Sequence, residues 1–129
     1  IKAREWGGDS SAWRLAFEGS LSPEMLYAMA RTGDPFAARL VDYINRVHAS
    51  GIASVIAAYD PEVIFAGGSI YLNNEDLILE GVLKYVREYS LLDPPPIRRA
   101  TFGDDSVLYG ALAIALNPPR ELARYSRGA

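Results

Sequence analysis

The sequence predicts an α/β layered domain, and three observations support this prediction. Short apolar runs alternate with amphipathic helical patterns, which is typical of layered α/β proteins. One of the helical patterns is unusually long and extends over about residues 35–59. Only two strands can be recognised, over 63–66 and 97–101, and two strands are too few for a self-contained sheet. We therefore expect part of the sheet to come from sequence outside this chain.

The composition excludes several classes of function. Of the 129 residues, 50% are hydrophobic and 22% are charged, as in ordinary globular proteins. The net charge of −3 provides no general basic surface for nucleic acid. The chain has no cysteine and a single histidine, which excludes disulfides, thiolate metal sites and multi-histidine metal sites. No apolar run approaches the ~18–20 residues of a membrane span, so we expect a cytoplasmic protein without a membrane partner.

The N-terminal region contains two predicted short helices. Residues 1–21 read as a junction segment with a helix over about 10–17, because Trp13 and Phe17 lie four positions apart on one face. A second helix begins at Ser22-Pro23-Glu24, where serine can cap, proline fits the first turn and glutamate favours the positive end of the helix dipole. We expect it to end at Gly33.

The long helix is predicted to begin at Pro35, after Asp34, and to end at Tyr59. Apolar or small residues recur every three or four positions, which predicts one continuous buried stripe along it. The predicted stripe is Phe36, Leu40, Ile44, Val47, Gly51, Val55 and Ala58. Glycine normally weakens a helix, so we expect Gly51 and Ser54 to let another element approach closely.

The central region predicts a strand, a glycine turn and a further helix. The run over 63–66 is rich in β-branched and aromatic residues and predicts a buried central strand. It leads directly into Gly67-Gly68-Ser69. An amphipathic helix is expected to start at Asn74-Glu75-Asp76, and its apolar residues are Ile78, Val82, Tyr85, Val86 and Tyr89.

The C-terminal region predicts a second strand and a closing helix. Prolines at 94–96 form a stiff connector to a strand over 97–101. Residues 102–106 predict a turn and helix cap, in which the adjacent Asp104 and Asp105 are read as capping groups rather than a metal pair. The helix over 107–116 is almost entirely small or apolar, so we expect it to be buried. Residues 117–129 form a tail.

The candidate ligand site is Gly67-Gly68-Ser69. Ligands of α/β sheets gather at the carboxyl ends of the strands. Glycine lets the backbone approach a ligand and adopt positive φ, and two glycines in succession leave backbone amides free to face a phosphate or a ribose. The Ser69 hydroxyl adds a further hydrogen-bonding group. The local pattern is also typical of a tight turn without a ligand, and both interpretations stay open at this point.

The surroundings of this turn carry a resemblance to a known family. Three segments, at 30–37, 51–70 and 102–116, resemble the C-terminal stretch of ROK-family kinases. That family is a branch of the actin, hexokinase and heat-shock ATPase superfamily, and the resemblance covers about residues 24–116. It implies the C-terminal half of a ribonuclease H-like, actin-like ATPase domain. We accordingly expect 1–129 to be a single nucleotide-side domain whose N-terminal partner is absent, and the start at Ile1 suggests a fragment.

The resemblance also implies roles for individual residues. Gly67 and Gly68 match the adenosine-motif glycines, which in the superfamily contact the ribose and α-phosphate side of ATP. Ser69 follows at a variable position near the phosphates, and Tyr71 matches a position near the adenine. ATP, Mg²⁺ and a hexose are the implied ligands, and a homodimer is the implied assembly. No catalytic and no metal-binding residue is expected in this chain, because the family's phosphate motif and catalytic aspartate lie upstream.

Four functional hypotheses follow from the sequence. The first is the C-terminal part of a glucokinase-like enzyme that transfers the γ-phosphate of ATP to a hexose hydroxyl. The second is a ROK-type transcriptional regulator that senses a sugar. The third is another branch of the superfamily, such as an N-acetylglucosamine kinase or a BadF-type ATPase. The fourth is an interaction module that buries its long helix against a partner. The sugar itself cannot be identified from these residues, and His48 reads as a flanking surface residue.

Overall fold

The computed structural model describes residues 6–118. Residues 1–5 of the predicted junction segment and residues 119–129 of the predicted tail lie outside the described residues. The described chain contains six α-helices, two strands and one 3₁₀ turn: α1 Ser11–Glu18, α2 Pro23–Arg31, α3 Pro35–Tyr59, β1 Ile64–Ala66, α4 Ser69–Asn73, α5 Glu75–Tyr89, β2 Ile97–Arg99, the 3₁₀ turn Gly103–Asp105 and α6 Ser106–Leu116.

Helices α1, α2 and α3 begin within one residue of their predicted starts, and each has a capping side chain. The hydroxyl of Ser10 accepts a hydrogen bond from the Trp13 amide at 3.0 Å and begins α1. Ser22 caps α2 in the same way. Helix α3 has the predicted bounds, and Asp60 ends it in the left-handed conformation. Helix α4 was not predicted.

Asp34 caps two helices at once. Its Oδ1 accepts hydrogen bonds from the Phe36 and Ala37 amides at 3.1 and 3.0 Å, which begins α3. The same oxygen accepts from the Ser10 hydroxyl at 2.7 Å, and Oδ2 accepts from the Ala12 amide at 3.3 Å. Burial acts to raise the pKa of Asp34, but these hydrogen bonds outweigh it and hold the pKa below its ordinary value.

The core lies between α3 and the helices on either side of it. Helix α5 packs along α3, and α2 packs against the first half of α3. The largest fully buried side chains are Phe36, Ile56 and Val86. The other buried apolar residues of this core are Ala12, Leu26, Tyr27, Ala37, Val41, Ala49, Ile78, Val82 and Tyr85.

The predicted buried stripe of α3 is correct at its start and wrong beyond Ile44. Val47 is 53% exposed and Val55 is 43% exposed. The face that is buried instead carries Val41, Asn45, Ala49, Ala53 and Ile56. Three of these residues, Asn45, Ala49 and Ala53, are small or polar, so a prediction from hydrophobic spacing favours Val47 and Val55 instead. The face is buried because α5 packs along it.

The close approach between helices occurs at Gly81 of α5, not at Gly51. A Cβ placed at Gly51 would meet nothing within 4 Å, whereas a Cβ at Gly81 would overlap the side-chain amide of Asn45. Asn45 is buried, and its Nδ2 donates to the Leu77 carbonyl at 2.9 Å. Its Oδ1 has no hydrogen-bond partner among the described residues. The glycine therefore makes room for a polar contact between the two helices.

Strands β1 and β2 form a parallel pair in which Ile64 lies opposite Ile97 and Ala66 opposite Arg99. Hydrogen bonds from the Ile64 amide to the Pro96 carbonyl and from the Ala100 amide to the Ala66 carbonyl extend the pairing at each end. The predicted burial of β1 is wrong among the described residues, since Ile64 and Ala66 are half-buried and Phe65 is 61% exposed.

Helix α6 has nearly the predicted bounds, but its predicted burial is wrong. Val107 and Leu116 are 83% and 84% exposed, and α6 has no buried residue. Among the described elements it contacts mainly the 3₁₀ turn, where Tyr109 stacks on Phe102 at 4.3 Å between ring centroids. The predicted cap by Asp105 is also wrong, because its side chain makes no capping hydrogen bond. Within residues 6–118 no helix has the length and apolarity of a membrane crossing.

Candidate functional site

The loops after β1 and β2 meet at the carboxyl edge of the sheet. Because the strands are parallel, both loops leave from the same edge. A Cβ placed on Gly67 would lie 3.1 Å from the Cβ of Ala100, which is tighter than ordinary side-chain contact. The absence of a Cβ at Gly67 therefore allows close packing against Ala100.

Gly68 is required for a different reason. Its φ of 91° and ψ of 147° lie in a region that residues with a Cβ rarely adopt. A Cβ at this position would meet nothing within 4 Å. The residue precedes α4 and turns the chain from the strand into the helix. Its neighbour Ser69 is the first residue of α4 and is exposed.

Tyr71 lies in α4 with its side chain half-buried. Its hydroxyl donates to Glu75 Oε1 at 3.1 Å, and Arg99 of β2 forms an ion pair with Glu75 Oε2 at 3.6 Å. Burial, together with the hydrogen bond to Glu75, raises the pKa of the Tyr71 phenol. The phenol is therefore a neutral donor, and the ring is held beside the glycine turn.

The structure brings all four predicted residues to one cavity of about 440 Å³. Residues of α3, α5 and both strands line this cavity together with the Gly67–Ser69 turn and α4. The lining residues are His48, Ile52, Ala66, Gly67, Gly68, Ser69, Ile70, Tyr71, Ile78, Leu79, Val82 and Ile97. Most are aliphatic or aromatic, and the Gly67–Ser69 turn contributes polar groups to the lining. A largely apolar group with a few polar substituents suits this lining.

The sequence missed the helical walls of the cavity. His48 was predicted to be a flanking surface residue; it is exposed, but it also lines the cavity together with Ile52, one helical turn later. The signal was present in the four-residue spacing of these two residues. The spacing could not identify a cavity wall, because the sequence does not show that His48 and Ile52 of α3 share a cavity with the two strands.

A metal site is not formed by these residues. Among residues 6–118 no group of three or more histidine, aspartate or glutamate side chains is close enough to hold a metal ion. The cavity has apolar walls and a glycine turn, which fits a nucleoside better than a bare cation.

Comparison with known proteins decides the family. The sequence profile of the ROK family matches residues 11–117. The chain belongs to the ROK family. It is 38% identical to a glucokinase of Aeropyrum pernix over 125 residues, which cover 95% of this chain and 39% of the relative. It is 40% identical to a glucokinase of Pyrobaculum calidifontis over 111 residues, covering 86% of this chain and 38% of the relative.

This ROK-family chain thus spans about two-fifths of the length of the two glucokinases. A third relative, an N-acetyl-D-glucosamine kinase of Haemophilus influenzae, is 33% identical over 81 residues, which cover 59% of this chain and 26% of the relative.

Solved structures confirm the predicted fold. The ROK hexokinase of Thermus thermophilus superimposes with a TM-score of 0.67 at 36% identity, over 74% of this chain and 33% of that protein. A provisionally assigned sugar kinase of Cytophaga hutchinsonii gives a TM-score of 0.70 at 24% identity, over 89% of this chain and 38% of that protein, and shows the fold alone. The ROK-family chain is therefore part of an actin-like ATPase fold, as predicted from the resemblance.

Proposed function

We propose that this ROK-family chain is the C-terminal, nucleotide-side domain of an ATP-dependent hexose kinase. One observation carries the proposal: Gly67, Gly68, Ser69 and Tyr71 all line one apolar cavity at the carboxyl edge of a parallel strand pair. Apolar walls suit an adenine ring, and a glycine turn with free backbone amides suits the ribose and α-phosphate. The glucokinase names of two relatives supply the sugar-kinase part of the proposal.

The residues of this chain would bind and orient the adenosine end of ATP. The absence of side chains at Gly67 and Gly68 lets the nucleotide reach the backbone, and the Ser69 hydroxyl is a further donor at the start of α4. Mg²⁺, when bound with ATP, supplies charge neutralisation for phosphoryl transfer. We propose that the catalytic base and the sugar contacts lie upstream in the complete protein, so that these residues orient the phosphate donor and do not themselves move a proton.

Glucose is the hexose that we propose first. The two glucokinases match this chain at 38% and 40% identity, whereas the N-acetyl-D-glucosamine kinase of Haemophilus influenzae matches at 33% over a shorter stretch. N-acetyl-D-glucosamine is therefore the second candidate. ATP and free sugars occur together in the cytoplasm, where we expect the protein to act.

The test uses the complete polypeptide that contains these residues. Isothermal titration calorimetry measures ATP binding, and an ADP-release assay compares glucose with N-acetyl-D-glucosamine. Gly68→Ala is expected to weaken ATP binding because alanine is strained at positive φ. Gly19→Ala is the matched control, since Gly19 also has positive φ and free space around its Cβ but ends α1.

Two results would contradict the kinase proposal. One is a complete protein that neither binds ATP nor phosphorylates any hexose. The other is a protein that binds sugar and DNA without phosphorylating the sugar, which would favour the regulator hypothesis. Equal effects of Gly68→Ala and Gly19→Ala on ATP binding would show that the nucleotide does not lie at the glycine turn. We also propose that the complete protein is a homodimer, and light scattering measures its mass in solution directly.

A further inference from the structure

Arg31, the last residue of α2, makes four hydrogen bonds to the segment that joins α4 to α5. Its Nε donates to Asp76 Oδ2 at 3.0 Å and its Nη2 to Asp76 Oδ1 at 2.6 Å, which is a two-pronged arginine–carboxylate pair. Nη1 donates to Asn74 Oδ1 at 3.0 Å, and Nη2 donates to the Asn73 carbonyl at 3.1 Å. One guanidinium thus holds the end of α4 and the start of α5 together.

Asn74 extends these contacts to the first turn of α4. The residue is only 8% exposed, and its Nδ2 donates to the Ile70 carbonyl at 2.8 Å. Ile70 lies two residues after Gly68, and the Leu72 amide donates back to the Gly68 carbonyl at 3.0 Å. Two linked hydrogen bonds therefore run from Arg31 through Asn74 to the Ile70 carbonyl in the first turn of α4, and the separate bond from Leu72 joins α4 to Gly68.

Helix α4 depends on such external support. It has five residues, and a helix of this length is not stable alone in water. The preceding Gly68 adds conformational freedom where the helix begins. The other visible brace is longer, since Arg99 lies 3.6 Å from Glu75, the acceptor of the Tyr71 hydroxyl. The contacts of Arg31 are the shorter and more numerous of the two.

The guanidinium is committed to these partners. The hydrogen bond with Asp76 raises the pKa of Arg31, and the hydrogen bond with Arg31 lowers the pKa of Asp76. Both side chains remain partly exposed, and exposed ion pairs contribute little stability by themselves. The value of the pair lies in the geometry that it imposes, since arginine presents its donors in a rigid fork.

We infer that Arg31 is a positioning residue. Through Asn74 and Asp76 it fixes helix α4, and with it the Gly67–Ser69 turn, for binding of the nucleotide. The inference rests on the proposed function, because it assigns the turn to ATP. Arg31 itself would not touch the nucleotide. Lysine cannot replace it fully, since an ammonium group cannot pair with Asp76 in two-pronged fashion and reach the Asn73 carbonyl at the same time.

The test measures the order of the turn and the use of ATP separately, in the complete polypeptide. Arg31→Gln, Arg31→Lys and Asp76→Asn are compared with Arg14→Gln, which removes an exposed arginine paired with Asp9 at 3.4 Å. Hydrogen exchange reports on the turn through the amides of Leu72 and Asn74, which are bonded within it. Steady-state kinetics reports KM for ATP and KM for the sugar.

Arg31→Gln is expected to speed exchange of these two amides by about tenfold or more while Arg14→Gln leaves it unchanged. KM for ATP should rise by about tenfold with KM for the sugar within about twofold, which is below the ~100-fold that a misplacement near 1 Å can cost. Arg31→Lys should fall between Arg31→Gln and the unchanged protein. If Arg31→Gln does not fold, Asp76→Asn tests the same pair with little change of shape.

Each contrary result has a separate meaning. Unchanged exchange in Arg31→Gln and Asp76→Asn would overturn the inference, whether or not the protein binds ATP. Faster exchange with both KM values raised equally, or with neither raised, would overturn the assignment of the turn to the nucleotide. An unchanged protein that binds no ATP would overturn the proposed function, and the exchange rates would then still decide whether Arg31 holds the turn.

Discussion

Replacing Asp34 by alanine removes the one carboxylate that begins two helices. Oδ1 accepts from the Phe36 and Ala37 amides of α3 and from the Ser10 hydroxyl, and Oδ2 accepts from the Ala12 amide of α1. Ser10 in turn caps α1 through the Trp13 amide. The substitution therefore removes the cap of α3 and the attachment of α1 to it, without creating a large cavity.

The expected loss can be worked out from these contacts. Loss of an aspartate cap costs about 0.5–2 kcal/mol of unfolding free energy. Hydrogen bonds to charged groups contribute about 1.5–3 kcal/mol each when well formed, and the 3.3 Å bond from Ala12 belongs at the low end. Because the contacts share one side chain, they are not additive, and we expect a total loss of about 2–4 kcal/mol for Asp34→Ala. Asp34→Asn keeps one acceptor oxygen and should lose less.

Urea unfolding of the 129-residue chain, followed by far-ultraviolet circular dichroism, measures this loss. Ser22→Ala is the control, because the Ser22 hydroxyl accepts only from the Met25 amide and begins only α2. We expect Ser22→Ala to cost about 1 kcal/mol or less. A loss for Asp34→Ala no larger than that for Ser22→Ala would refute the assignment of a double cap.

Three further predictions concern pH and close contacts. The folded-state pKa of Asp34 lies below its ordinary value of 3.8, so the stabilisation that its carboxylate gives the fold is present above about pH 4 and is lost as pH falls through the lower value. Urea unfolding at pH 2–5 should show this loss of unfolding free energy, and Asp34→Asn should flatten the pH dependence. Gly81→Ala should destabilise the chain by about 1–3 kcal/mol, and adding Asn45→Ala should relieve part of that loss in urea unfolding; no relief would place the clash elsewhere. Gly67→Ala should destabilise through contact with Ala100, and Ala100→Gly should restore melting temperature in the double variant; additive losses would contradict this explanation.

The helix starts were predictable because their causes are local. A capping side chain bonds to amides two or three residues later, so a short stretch of sequence contains both partners. This is why the starts predicted from Ser22 and Asp34 are correct, and Ser10 caps α1 in the same local way. The second function of Asp34 was not predictable in this way, since its partners Ser10 and Ala12 precede it by 24 and 22 residues.

Burial was less predictable because it depends on what lies opposite. Residues of α3 on two neighbouring faces are apolar or small, and only the position of α5 selects the face with Asn45, Ala49 and Ala53. Helix α6 shows the same limit, because its composition indicates burial while its contacts with the 3₁₀ turn leave all of its residues unburied. Composition therefore indicates that a surface suits burial, and the packing partner decides whether it is buried.

The adjacent glycines of the candidate site illustrate a local cause and a tertiary cause side by side. Gly68 is required by its own backbone conformation, which a sequence pattern of glycine after a strand can indicate. Gly67 is favoured by its close packing against Ala100, which lies 33 positions later and comes alongside because β2 pairs in parallel with β1. Ala100→Gly should therefore restore the stability lost in Gly67→Ala and leave the stability lost in Gly68→Ala unchanged. The glycine turn was predicted as a unit, but it is held by one local and one tertiary constraint.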